Sequence, residues 1–150
     1  MTYTETEQEA PPQIDWREAT RILTAEIREH GHPITGWFAG GQVLLLTTIG
    51  AKSGIARTVP LAYTRDGDRY VMTASKGGAP THPGWYHNLV ADPTATIEVD
   101  REKFRARSSV ADGAERQRLW DQHVALHTGI AEYPKKTTRV IPVVVLDRIG

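Results

Sequence analysis

The dipeptide Asp66-Gly67 stands between two runs rich in β-branched and aromatic residues, Thr58–Thr64 and Arg69–Ala74. A tight turn of this composition matches the right-handed twist of a hairpin, so the two runs are expected to pair antiparallel. Thr94–Val99 and Lys103–Val110 predict a second antiparallel pair, turning near Asp100-Arg101-Glu102. Val43–Ile49 is too short for a helix between its flanking glycines and reads as a strand buried on both faces. Hairpins argue against parallel pairing, and these strands outnumber what a doubly wound sheet would supply. The expected class is mainly β with peripheral helices (α+β), wrapped as a small closed or split β-barrel, because closure removes most exposed edges.

Helical spacing fills the intervals. Asp15 with Glu18 forms a cap pattern ahead of the stripe Ala19, Ile22, Leu23, Ala25 and Ile27, which Gly31 can end. Gly36–Gly41 is loop-like and displays Trp37 and Phe38. Pro83 suits the first position of a helix that runs to about Ala91 and stops before Pro93. Asp112 with Glu115 repeats the cap pattern, and Leu119, Trp120 and Val124 form the buried face of the helix that follows, which Gly129 breaks. Ile130–Lys136 is a short helical or turn segment before a last strand, Val140–Leu146, where Pro142 suggests an edge or a bulge. Residues 1–13 read as a flexible acidic tail, and residues 14–150 as one domain.

Composition narrows the partners. Lysine and arginine number 18 against 18 aspartates and glutamates, so no overall field draws the chain to nucleic acid or an anionic membrane. With no cysteine, disulfides, thiolate catalysis and zinc–thiolate sites are excluded. The longest apolar runs, Val43–Leu46 and Val143–Leu146, fall far short of the ~20 residues of a membrane span. A cytoplasmic location is expected, with peripheral contact to a membrane left open.

Two basic, glycine-marked loops stand at strand ends. Gly50-Ala51-Lys52-Ser53-Gly54-Ile55-Ala56-Arg57 lacks the Gly-Lys-Ser/Thr triplet of a phosphate loop and is followed by a strand. It suits an ordinary hairpin with solvated cations, or an anion site in which Arg57 offers a fork and Lys52 a point charge. In Ser75-Lys76-Gly77-Gly78-Ala79-Pro80-Thr81-His82-Pro83-Gly84-Trp85-Tyr86-His87-Asn88, the paired glycines permit a tight turn or close ligand approach. Free N–H groups at the next helix start favour negative charge. Trp85 and Tyr86 are suited to cover a planar ring, or else Trp85, Leu89 and Val90 pack a helix face into the core; Asn88 can donate and accept hydrogen bonds. Together the loops suggest one long acidic ligand with a planar portion.

Other chemistries find less support. His123 and His127 are four apart on a helix and could share a metal, yet no cysteine or nearby carboxylate completes a site, and helix-surface or pocket histidines explain the pair better. No metal site is expected. His82 and His87 read as loop and helix-face residues. No Gly-x-Ser-x-Gly elbow exists, which argues against a serine hydrolase. Arg101–Arg107 alternates like a strand face rather than a nucleic-acid patch.

Leu46–Leu61 closely resembles the first signature of the deazaflavin-dependent nitroreductase family. Ala74–Gly78 with His82–Leu89 resembles its second signature, and Lys136-Thr137 through Arg139–Val143 its C-terminal one. The resemblance runs from about Trp37 to the end. It implies a split β-barrel of the FMN-binding type and use of reduced 8-hydroxy-5-deazaflavin, coenzyme F420. It also implies hydride transfer to small electron-poor acceptors such as quinones, enones and nitro compounds, in an actinobacterial setting. By the same resemblance Lys52 and Arg57 would hold the coenzyme's phosphate and glutamyl tail. Pro60, Ser75, Lys76, Gly77 and Gly78 would line the deazaflavin and its ribityl chain, and Trp85 and Asn88 would complete that side.

On the acceptor side the chain departs from the nitroreductase pattern. Of the family's pocket tyrosines, only Tyr133 is matched; His127 and Ile130 stand where others would fall, and Ala62 also replaces a tyrosine. Trp37, Phe38, Ala62, His127, Ile130 and Tyr133 are the expected acceptor-binding residues, with Tyr133 as catalytic hydrogen-bond or proton donor, or as packing at the mouth. Alternatives are an oxidoreductase dependent on flavin mononucleotide (FMN) on the same barrel, and a non-catalytic deazaflavin carrier. Barrels of this kind often dimerise, so a homodimer is compatible with the reading.

Overall fold

The structure is a computed structural model that describes residues 15–149. The acidic tail expected at residues 1–13 lies outside the described residues. Helix α1, Trp16–His30, is capped by Asp15, whose Oδ1 accepts from the N–H groups of Arg17 and Glu18. Gly31 ends it in the left-handed region at φ 88°, and a Cβ there would meet Asp100 Cα at 3.0 Å. The buried stripe is narrower than its spacing predicts. Leu23 and Ile27 are buried, whereas Ile22 and Ala25 are exposed.

A 3-10 turn at Gly36–Phe38 leads to β1, Val43–Ile49, which pairs along its length with β2, Ala56–Ala62. The run Thr58–Thr64 is not one strand, as its alternation predicts. It breaks at Tyr63, where β3, Thr64–Asp66, begins a new partnership with β4, Arg69–Thr73. The hairpin expected at Asp66-Gly67 turns there, with Asp66 opposite Arg69. A 3-10 turn at Lys76–Gly78 precedes α2, Gly84–Ala91, with Pro83 as its cap residue rather than its first helical one. The hairpin of β5, Thr94–Val99, and β6, Glu102–Val110, is followed by α3, Gly113–Leu126. A 3-10 segment, Thr128–Lys136, and β7, Val143–Ile149, complete the order.

All pairings are antiparallel, in the order β2-β1-β5-β6-β7-β4-β3. The two end strands, β2 and β3, are consecutive in the chain, separated only by Tyr63. Pro142 does not mark an edge. It lies just before β7, a central strand between β6 and β4, and its carbonyl accepts from Ala74 N–H at 2.9 Å.

Strand alternation sorts the core into layers. Leu44, Leu46, Met72, Ile97, Phe104, Val144 and Leu146 share one cluster with Trp85 and Leu89 of α2. Strands from both halves of the order thus surround one interior, which requires a strongly curved sheet. On the opposite face, Val43 and Leu45 pack under Leu23 and Ile27 of α1, and Val71, Val143 and Val145 under Leu119 of α3. Burial of β1 on both faces is therefore met, each such leucine contributing about 1.5–3 kcal/mol. Asp66 ties the β3–β4 turn to α3 by accepting from Arg69 and Arg118, cations that hold its carboxyl well below the usual range. The expected capping bond from Asp112 is absent; Glu115 instead pairs with Arg69 at 3.3 Å.

Candidate functional site

The β1–β2 turn closes through Gly54 N–H to Gly50 C=O and Gly50 N–H to Ile55 C=O, both at 2.9 Å. Asn88, on the helix that follows the glycine loop, fastens this turn. Its Oδ1 accepts from Ala51 N–H at 2.9 Å, and its Nδ2 donates to Thr48 Oγ1 at 3.0 Å. Between turn and helix lies a cleft of about 510 Å³, lined among others by Lys52, Ser53, Arg57, Gly84, His87 and Asn88. Lys52 and Arg57 are exposed, and among the described residues neither pairs with a carboxylate. Several other arginines are paired with carboxylates, as in Arg28 to Glu98 and Arg148 to Glu102.

The glycine loop precedes that helix and packs on the 3-10 segment Thr128–Lys136. Lys76, Gly77 and Gly78 all have positive φ, at 47°, 64° and 84°. Lys76 Nζ donates to Thr81 Oγ1 at 3.3 Å, and Ser75 is buried beneath it. A Cβ on Gly78 would fall 2.9 Å from Lys136 Cβ and 3.0 Å from Tyr133 O, so the loop and the 3-10 segment meet backbone against backbone. Pro60 is half-buried in β2, an end strand of the order, where a missing N–H is tolerated.

That 3-10 segment borders a second cavity, of about 360 Å³, with Phe38, Ala62, His127, Ile130 and Tyr133 in its wall. The structure thus brings five of the six expected acceptor residues together. The side chain of the sixth, Trp37, lies outside the described residues. His127 Nε2 is 2.8 Å from the Tyr63 carbonyl. A carbonyl only accepts, so Nε2 carries the hydrogen and Nδ1 is left unpaired among the described residues. The two cavities touch opposite ends of β2, at Arg57 and Ala62, roughly 17 Å apart at ~3.3 Å per residue.

Two sequence expectations need correction. Trp85 does not line the cleft. It is 8% exposed and packs in the main interior cluster with Leu89, so for Trp85 the helix-face reading wins over ring cover, whereas Val90, expected on the same face, is exposed. His123 is neither a surface nor a pocket histidine. It is fully buried, with Nδ1 3.2 Å from Thr64 Oγ1, and burial plus the neighbouring His127 pushes its pKa down to about 4. Two contributors were missed. His87 lies in the cleft wall beside the cations. Arg139 grips the glycine loop through Ala74, Ser75 and Ala79, across 60 or more residues of sequence. Its presence in the C-terminal signature was the available signal.

A family model described as F420H(2)-dependent quinone reductase matches residues 19–148. The F420H(2)-dependent quinone reductase Rv1261c of Mycobacterium tuberculosis (strain ATCC 25618 / H37Rv) is 43% identical over 124 residues, 79% of each chain. A solved F420-H2 dependent reductase (FDR-A) superposes with a TM-score of 0.65 at 39% identity, covering 71% of this chain and 94% of that one. A second solved chain, described as a domain-swapped dimer, gives 0.68 at 36% identity over 89% and 98%. By the extent of these matches, this chain belongs to the F420H(2)-dependent quinone reductase family.

Proposed function

We propose that this protein is an F420H2-dependent reductase that passes hydride from the reduced deazaflavin coenzyme to a small electron-poor acceptor. Quinones are the first class, with enones and nitro compounds open to the same chemistry. The observation that carries the reading is the joint at Asn88. It brings the turn bearing Lys52 and Arg57 against the helix that follows the glycine loop, so the basic turn and that helix border one cleft.

The residues suit such a coenzyme. Two cations without carboxylate partners among the described residues answer a phosphate and an acidic tail, with His87 in the same cleft wall. Ser75, Lys76, Gly77, Gly78 and Pro60 offer a surface of backbone and small side chains to a flat ring. Trp85 supports α2 from the interior. When bound, the reduced coenzyme supplies the hydride, and the protein supplies position and electrostatics. Phe38, Ala62 and Ile130 offer the acceptor an apolar wall. The Tyr133 hydroxyl donates to the acceptor oxygen as negative charge develops there. His127, held by the Tyr63 carbonyl, turns a fixed tautomer to the same cavity.

The curved sheet is best described as a split barrel of the FMN-binding type, supported by the adjacency of β2 and β3 in the chain. Residues 14–150 would form one reductase domain. A homodimer is supported by the domain-swapped neighbour and is tested by sedimentation. For the activity itself, the purified protein is mixed with reduced coenzyme and a short-chain benzoquinone, and the return of oxidised-coenzyme fluorescence is followed. Turnover is expected, with Tyr133→Phe slowing it about tenfold while coenzyme affinity holds. Preferential binding of FMN, or coenzyme binding with no acceptor reduced, overturns the proposal.

A further inference from the structure

Arg139 lies between the 3-10 segment and β7, yet its guanidinium is spent entirely on the glycine loop and the residues after it. Nε donates to Ala79 O at 2.8 Å, Nη2 to Ser75 O at 2.7 Å, and Nη1 to Ala74 O at 3.1 Å. Nη1 also meets His82 Nδ1 at 3.0 Å, which makes that nitrogen an acceptor and puts the His82 hydrogen on Nε2. Burial and the Arg139 charge both hold His82 below the ordinary histidine pKa, favouring that neutral form. A planar fork with five donors can serve several divergent oxygens at once, which a lysine cannot.

The consequence is a loop with two unlike faces. Its carbonyls at Ala74, Ser75 and Ala79 turn to Arg139. Gly78 N–H and Ala79 N–H are used inside the loop, on Ser75 O and Lys76 O. The amides of Lys76 and Gly77 begin the 3-10 turn and have no acceptor within it. Ser75 is right-handed at φ −81° and ψ −37°, and Lys76 follows at φ 47°. That succession turns neighbouring N–H groups toward a common point, the geometry that receives an anion or an electronegative edge.

We propose that Arg139 is a positioning residue for the coenzyme: by binding the carbonyls of residues 74, 75 and 79 from behind, it holds the Lys76 and Gly77 amides out toward the ligand. The inference rests on the functional reading above, that the glycine loop borders the coenzyme, and it adds a residue that touches no ligand itself.

The test compares Arg139→Lys, Arg139→Met and Arg116→Met. Arg116 donates to Ile141 O at 2.6 Å, so it braces the same segment without reaching the loop. Binding of oxidised coenzyme F420 is measured by fluorescence on folded protein, alongside amide NMR shifts of Gly77 and Gly78. Arg139→Met is expected to weaken binding about thirtyfold and Arg139→Lys about tenfold, since one ammonium restores only part of the fork. Turnover at saturating coenzyme should change little, and the two glycine amides should shift. Arg116→Met should lower the melting temperature with affinity unchanged. Where Arg139→Met does not fold, Arg139→Lys decides. Wild-type affinity in Arg139→Lys, or equal loss in Arg116→Met, overturns the proposal; a wild-type protein that does not bind the coenzyme overturns the functional reading instead.

Discussion

Asn88 accepts a hydrogen bond from the backbone N–H of Ala51 at 2.9 Å, joining helix α2 to the turn between β1 and β2. Its amide nitrogen is used as well, on Thr48. Both ends of the side chain are therefore committed within the protein, and its service to a ligand is to fix the distance between two walls. Asn88→Ala frees the Ala51 amide and the Thr48 hydroxyl. The expected cost is about 1–2 kcal/mol in denaturant unfolding, with coenzyme binding weakened about tenfold. A variant that loses stability but binds normally would confine Asn88 to the fold.

Lys52 and Arg57 face the cleft without carboxylate partners among the described residues, which suits their charge to a ligand. Lys52→Ala and Arg57→Ala should each weaken coenzyme affinity about tenfold and lower its salt dependence, with turnover at saturation kept. Coenzyme stripped of both its phosphate and its glutamyl tail should bind wild type and variants nearly alike. Fluorescence titrations at two salt concentrations check both points; undiminished affinity in the variants removes the assignment.

His123 gives a pH signature of stability. Its folded pKa, about 4, lies below the ordinary 6.5, chiefly because burial disfavours the imidazolium. As pH falls below ~6.5 the unfolded chain takes up a proton that the folded protein refuses, so stability declines between ~6.5 and ~4 and this contribution then levels off. The full loss is about 3 kcal/mol. Other groups titrate in the same range, among them His82, so the informative quantity is the difference from His123→Gln, measured by urea unfolding at pH 7 and pH 4.5. Parallel profiles for the two proteins would remove His123 as the source.

The hairpins and the doubly buried β1 were legible because alternation and turn residues are local signals. The break at Tyr63 was not, since the apolar pattern runs on while the pairing partner changes from β1 to β4, a change that depends on chain segments far away. Pro142 misled for a related reason: a proline can stand immediately before a central strand if only its carbonyl is needed, as Ala74 needs it here. In the site, Lys52 and Arg57 were readable as cations set among glycines. Arg139 was not, because its importance lies in contacts spanning 60 or more residues. His123 was hidden because a helical pattern cannot disclose that Thr64 waits opposite a buried imidazole.

Gly77 and Gly78 look equivalent in sequence, and the structure separates them. Both have positive φ, so either substitution to alanine carries the left-handed penalty of roughly 1–2 kcal/mol. A Cβ on Gly77 would meet open space, but on Gly78 it would press on Lys136 Cβ at 2.9 Å and on the Tyr133 carbonyl at 3.0 Å. The carbonyl belongs to the backbone of the 3-10 segment and cannot swing aside, so relief must move the segment that carries Ile130 and Tyr133. Gly78→Ala should therefore cost at least about 1 kcal/mol more than Gly77→Ala, as overpacking does. It should also raise the quinone KM, because the acceptor cavity shifts with the segment. Gly77→Ala should leave that KM unchanged and act only on the coenzyme side. Urea unfolding and quinone titrations at saturating coenzyme distinguish the two, and equal effects of both substitutions on stability and on quinone KM would show that the loop and the 3-10 segment are not in the close contact described.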